Sequence, residues 1–126
     1  MRAVDTNVVV RLIARDDPKQ VAAAEQFVAS GAWVSHLVLA ETTWVLASVY
    51  KLGAKQIATA IRMLLNHDKL ALQSAEVIER ALAVYLQQPK LGFSDCLIVE
   101  IARSAGHTPL GTFDLGLARV DAAVRV

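Results

Sequence analysis

Short apolar segments that run into a polar junction and then a helix recur along this chain, and that alternation restricts its fold more than any other feature. Ala3-Val4 ends on Asp5-Thr6-Asn7, after which Val8, Val9, Leu12 and Ile13 repeat at helical spacing. Asp17-Pro18-Lys19-Gln20 supplies an N-cap, a proline at the first helical position and a Gln at the third, and Gly31 stops the helix predicted over 18–30. Trp33-Val34 predicts a second strand, and Ser35 caps an apolar helix reaching about Tyr50, with Gly53 beyond it. A helix over 55–66 gathers Ile57, Ile61, Leu64 and Leu65 on one side, a strand follows at Leu70–Leu72, and Ser74 opens a helix that Pro89 ends. Phe93-Ser94 leads into a helix over 95–105 closed by Gly106, and strands at 108–112 and 123–126 complete the series. The expected fold is α/β with three layers, α/β/α, around a central, mainly parallel sheet of four to five strands.

The 126 residues suit one compact domain spanning 1–126, long enough to bury a core without disulfides or a structural metal. A single cysteine, Cys96, excludes an internal disulfide framework, and no Cys/His cluster has zinc-finger spacing. A cytoplasmic protein without a secretory signal is expected, and no apolar run reaches the roughly 20 residues of a membrane span. Apolar residues form 55% of the chain, above the usual range of about 45–50%, so part of the surface is expected to meet another chain. With 13 basic and 12 acidic residues the net charge is +1, which neither announces nor excludes a nucleic-acid partner. Four acids drawn into one pocket would leave a basic remainder, an arrangement suited to a metal site acting on phosphodiesters.

Those four are Asp5, Glu41, Asp95 and Asp114. Asp5 follows the first strand and Asp114 the 108–112 strand. Glu41 lies about a turn into the helix after the second strand, and Asp95 opens its helix. Ligands of parallel α/β sheets gather beyond the carboxyl ends of the strands. Helical carboxylates usually have a basic residue three or four positions away, yet Glu41 has Leu37, Val38, Trp44 and Val45, a face predicted to be largely buried. Asp95 is followed at the same offsets by Ile98 and Val99, and Asp114 by Leu117 and Ala118. Such charges need a counter-ion or a raised pKa. One or two Mg²⁺ or Mn²⁺ ions supply it, because these cations prefer oxygen ligands and retain waters, one of which can serve as nucleophile. Thr6, Asn7, Ser94 and Thr112 flank the acids as orienting groups.

Four segments carry a family resemblance: Val4-Asp5-Thr6-Asn7, Leu39-Ala40-Glu41, Phe93-Ser94-Asp95 and Thr112-Phe113-Asp114. In this order and spacing they resemble a PIN-domain ribonuclease of the VapC toxin type, over nearly the whole chain. The resemblance implies a PIN fold, Mg²⁺- or Mn²⁺-dependent cleavage of RNA, a homodimer, and inhibition by a cognate VapB-type antitoxin protein. Metal binding carries over to Asp5, Glu41, Asp95 and Asp114, and supporting roles to Thr6, Asn7 and Thr112. The family varies at the position of Ser94.

Each acid also has a plainer reading. Asp5 and Asp114 suit helix caps or Asx turns, Asp95 suits the start of a helix dipole, and Glu41 is the hardest to explain without a ligand. Glu100 lies roughly 140° round the helix from Asp95 with Arg103 three residues on, and is expected as a solvated ion pair. His36, His67 and His107 are read as packing or surface, Cys96 as a small buried apolar residue, and Trp33 and Trp44 as core or interface. Arg11 and Arg15 are candidates for holding RNA phosphates. Two further function classes fit the residues: a catalytically silent RNA- or partner-binding module, and a phosphatase forming an aspartyl phosphate on Asp5. The latter usually wants an Asp two residues on, where Asn7 stands.

Overall fold

The computed structural model describes all 126 residues. They form two compact units, Met1–Ala75 and Glu76–Val126. In the first unit, β1 (Arg2–Ala3), β2 (Ala32–Val34) and β3 (Leu70–Leu72) make a parallel sheet in the order β1-β2-β3, with Ala3 opposite Trp33 and Val34 opposite Leu72. Parallel neighbours require crossover connections. Here α1 (Thr6–Ala14) and α2 (Pro18–Val28) join β1 to β2, and α3 (His36–Ser48) and α4 (Ala54–Leu65) join β2 to β3. Contacts link α1 to α2 and α3, and α3 to α4. Their core includes Val9, Val34, Leu39, Leu46 and Ile61, each almost wholly withdrawn from solvent.

In the second unit, α5 (Ala75–Gln87, whose first residue belongs to the first unit), a 3₁₀ turn at Pro89–Leu91 and α6 (Phe93–Ser104) precede β4 (Leu110–Thr112). A second 3₁₀ turn at Leu117–Arg119 leads to β5 (Ala123–Arg125). β4 and β5 pair in parallel, with Leu110 opposite Ala123 and Thr112 opposite Arg125. Val99, Leu117 and Val120 form a small core beneath this pair, extended by Leu91 and Leu110. The ring edge of one aromatic meets the face of the other where Tyr85 packs against Phe93, 5.8 Å apart at 83°.

The α/β alternation is thus present, with five strands whose pairing divides them three and two. Each strand is only two or three residues long, so every ladder holds few hydrogen bonds and depends on the helices beside it. The expected caps of the first unit form: Asp5, Asp17 and Ser35 accept from the backbone N–H groups of Val8, Gln20 and Val38, each at 3.1 Å. Ser74 departs from expectation, standing before α5 with φ at +42° instead of the extended backbone of a capping residue. α6 begins two residues before its expected start, after Gly92 at φ +77°, which puts Asp95 inside the first turn.

Candidate active site

Two acids belong to the first unit. β1 and β2 are parallel, so their carboxyl ends share one edge, and Asp5 leaves β1 at the edge where α3 starts. Asp5 is the N-cap of α1, its Oδ1 taken by the Val8 N–H. One turn along the neighbouring helix, Glu41 accepts through Oε1 a 3.1 Å hydrogen bond from the Thr6 hydroxyl. Thr6 is the residue after Asp5, so the first turn of α1 ties this part of the sheet edge to Glu41. Glu41 does not lie on a buried face: it is exposed, with Leu37 and Trp44 beside it at 70% and 66% exposure. The buried positions of α3 are Leu39, Thr42, Thr43 and Leu46, a quarter-turn or more away, and an all-round apolar helix gives no periodic sign of which face turns inward.

The other two acids belong to the second unit. α6 runs back to the start of β4, so its N-terminal turn lies toward the carboxyl end of that strand, where Asp114 follows. Thr112 orients the junction by accepting the Asp114 N–H on its hydroxyl at 3.0 Å, and Asp114 Oδ1 accepts from Leu117 N–H at 2.8 Å. Gly116 keeps room for that carboxylate, since a Cβ there would stand 3.2 Å from Asp114 Oδ1 and 3.1 Å from a Leu91 methyl. Partial burial pushes the Asp95 carboxyl above its ordinary range, and the negative charge of Asp114 pushes it further. Ser94 is half-buried beside Asp95, and Asn7 is exposed in the first turn of α1.

The raised Asp95 pKa has a signed consequence for stability. A carboxyl whose folded pKa exceeds its unfolded value costs stability while ionised, and the cost fades as pH falls through the folded pKa. Asp95→Asn is therefore expected to raise the Tm of metal-free protein at pH 7 by about 1–3 °C. The gain should shrink on acidification, and melting curves in EDTA across the acidic range read it directly. A variant no more stable than wild type at pH 7 would remove this account of burial and like charge together.

Other expectations resolve residue by residue. Glu100 is not a solvated pair: it is 2% exposed, accepting from Arg103 Nε at 3.2 and 3.4 Å and facing Arg80 Nε at 3.6 Å. Trp33 and Trp44, at 39% and 66% exposure, are not core residues, which leaves the interface half of that expectation. Arg11 donates to Tyr50 Oη at 2.9 Å, to Asp16 at 3.2 Å and to the Gln20 side chain, and Arg15 pairs with Glu25. An RNA phosphate reaching either arginine would compete with these partners. Cys96 is fully buried, and burial with the nearby Asp95 charge pushes its thiol up to about 11, which keeps it protonated and apolar in character. Gln20, expected at the third position of its helix, donates its backbone N–H to the Asp17 side chain, while its own side-chain oxygen is held by Arg11.

Within neither unit do three or more His, Cys, Asp or Glu side chains gather closely enough to hold a metal alone. Each unit supplies a pair of carboxylates with hydroxyl groups orienting them. These are hard oxygen donors, and the repulsion felt by Asp95 is what a cation relieves, so the residues fit Mg²⁺ or Mn²⁺ and do not fit a thiolate-seeking metal.

Parallel strands with carboxylates at the following junctions define an α/β domain with acidic groups at its strand ends. The PIN domain model matches residues 2–123, and the chain belongs to that family. PIN domains are commonly metal-dependent nucleases that use divalent ions, so the general function of this chain is of the nuclease type. No match was found among curated proteins or solved structures. No helix is long and apolar enough to cross a membrane.

Proposed function

We propose that this protein is a Mg²⁺- or Mn²⁺-dependent endoribonuclease, the toxin of a type II toxin–antitoxin pair, with Asp5, Glu41, Asp95 and Asp114 as its metal-binding acids. The observation that carries the reading is the pair of carboxylates in each unit, at strand or helix junctions of a PIN domain, with the Thr6 and Thr112 hydroxyls fixing their surroundings. A bound cation supplies the charge that activates water and stabilises the developing charge on a phosphodiester. The protein's own part is to hold the acids. Asp5 and Asp114 are anchored through Oδ1 by backbone N–H groups, and Glu41 through Oε1 by Thr6, leaving the second oxygen of each for other partners. No nucleophilic side chain is needed, and Cys96 stays protonated and buried.

A cytoplasmic homodimer held by a VapB-type antitoxin completes the proposal. The exposed Leu37 and Trp44 on either side of Glu41, with Val49 at 63% exposure, give apolar surface for a second chain. Light scattering that returns a monomer at high micromolar concentration would remove the dimer from this reading. The direct test incubates the full chain with structured RNAs in Mg²⁺, Mn²⁺ or EDTA and maps the ends. Discrete cuts that require the cation are expected; RNA bound without cuts in every condition would favour the silent binding module.

A further inference from the structure

A groove of about 390 Å³ opens beside Asp5, wholly within the first unit, between α1 and α2. Its apolar lining includes Val8, Ala23 and Phe27, and its polar groups include Asn7, Arg11 and Gln20. Small-molecule sites have this character: an apolar body with a few placed polar groups. Ala23 and its neighbour Ala24 leave the space that larger side chains on α2 would fill.

Two features adapt the groove to a nucleobase. First, the polar groups are held in advance. Tyr50 donates to Asp16 Oδ2 at 2.9 Å and accepts from Arg11, whose Nε fixes the Gln20 side-chain oxygen. The Gln20 amide nitrogen is then oriented as a donor, and the exposed Asn7 amide offers both a donor and an acceptor for a base edge. Second, the Arg2 guanidinium stacks on the Phe27 ring, 3.7 Å from its centroid, and donates to the Phe27 carbonyl at 3.1 Å. Phe27 lines the groove, so this pair holds in place the ring against which a base would pack.

We propose that this groove is a subsite for one nucleotide of an unpaired strand, set next to the bond that Asp5 helps to cleave, and that it determines the base preferred there. The groove takes a single base with its edge and face exposed, as unpaired strands present them. This deepens the nuclease reading and rests on it for the word subsite, but nucleotide binding itself is measurable without cleavage.

The test titrates metal-free full chain in EDTA with the four ribonucleoside 5′-monophosphates and their deoxy counterparts, following backbone amide shifts by NMR. Shifts should centre on Asn7, Val8, Gln20, Ala23 and Phe27 with one base preferred, and the ribo and deoxy arms tell whether the sugar hydroxyl is read. Ala23→Leu, which keeps a strong helix former at an exposed position, should weaken the preferred nucleotide at least fivefold by filling the groove, and Gln20→Ala by about fivefold. Shifts elsewhere, or unchanged affinity in Ala23→Leu, overturn the subsite. Cation-dependent cleavage that keeps its cut sites in both variants also overturns it while leaving the nuclease standing; absence of any cleavage by wild type strikes the nuclease reading instead.

Discussion

Asp5→Asn is expected to lose cation-dependent RNA cleavage by at least about 100-fold while its Tm in EDTA stays within about 4 °C of wild type. The two halves of this result have separate causes. Asn caps helices as well as Asp does, so its side-chain oxygen can keep the 3.1 Å bond from Val8 N–H; only the favourable charge at the α1 N-terminus is lost, about 0.3–1 kcal/mol. A neutral amide is a far poorer partner for a hard cation than a carboxylate. Removing a group that merely orients a metal ligand typically costs about 10–100-fold, so a ligand itself should cost more. Thr6→Val sets that scale within this protein, since it deletes the hydroxyl on Glu41 and should lower cleavage by about tenfold. Asp5→Asn protein that cleaves as wild type does would end the proposed role of this residue, whatever the other acids do.

The largest stability effect is expected at Arg103. Its side chain donates to the buried Glu100 and crosses to Asp121, bonding the Asp121 carboxylate at 3.3 Å and its carbonyl at 3.0 Å. Arg103→Ala leaves the Glu100 carboxylate buried with only Arg80 Nε at 3.6 Å, and it unfastens the segment before β5. Breaking a buried pair on one side costs about 3–5 kcal/mol; the partial exposure of Arg103 and the remaining Arg80 reduce that to about 2–3 kcal/mol. Urea denaturation should read it as a lowered midpoint at constant slope. Adding Glu100→Gln to Arg103→Ala should recover part of the loss, because an unpaired amide is cheaper to bury than an unpaired charge. A double variant no more stable than the single one would place the cost in lost packing rather than in the stranded charge.

What the sequence disclosed was chemistry acting over a few residues. The caps at Asp5, Asp17 and Ser35 were readable because each oxygen bonds a backbone N–H three positions on. The order of strands and helices was readable from the periodicity between those caps. The face of α3 was not. Residues on every side of it are apolar, so Leu37 and Trp44 looked buried and Glu41 with them, although solvent reaches all three. Glu100 failed for the opposite reason: its i+3 partner was visible, but the burial that makes the pair costly to break comes from tertiary packing, and Arg80 lies on a different helix. Gln20 was readable as a position in its helix, but the contact its side chain receives from Arg11, nine residues earlier, was not. The four acids were legible as residue types at strand and helix junctions; Thr6–Glu41 and Asp95–Asp114 as pairs needed the three-dimensional fold.

The pairing of β4 with β5 bears on when the Asp114 junction takes shape. Val126 N–H donates to the Thr112 carbonyl at 2.9 Å, and its side chain lies where a Cβ on Gly111 would come within 2.9 Å. Thr112 in turn positions the Asp114 backbone. The residues that back this junction are therefore translated after all four acids. A growing chain carries every acidic group before it carries the strand that steadies the last of them, so the Asp114 turn gains this support only after Val126 has been added.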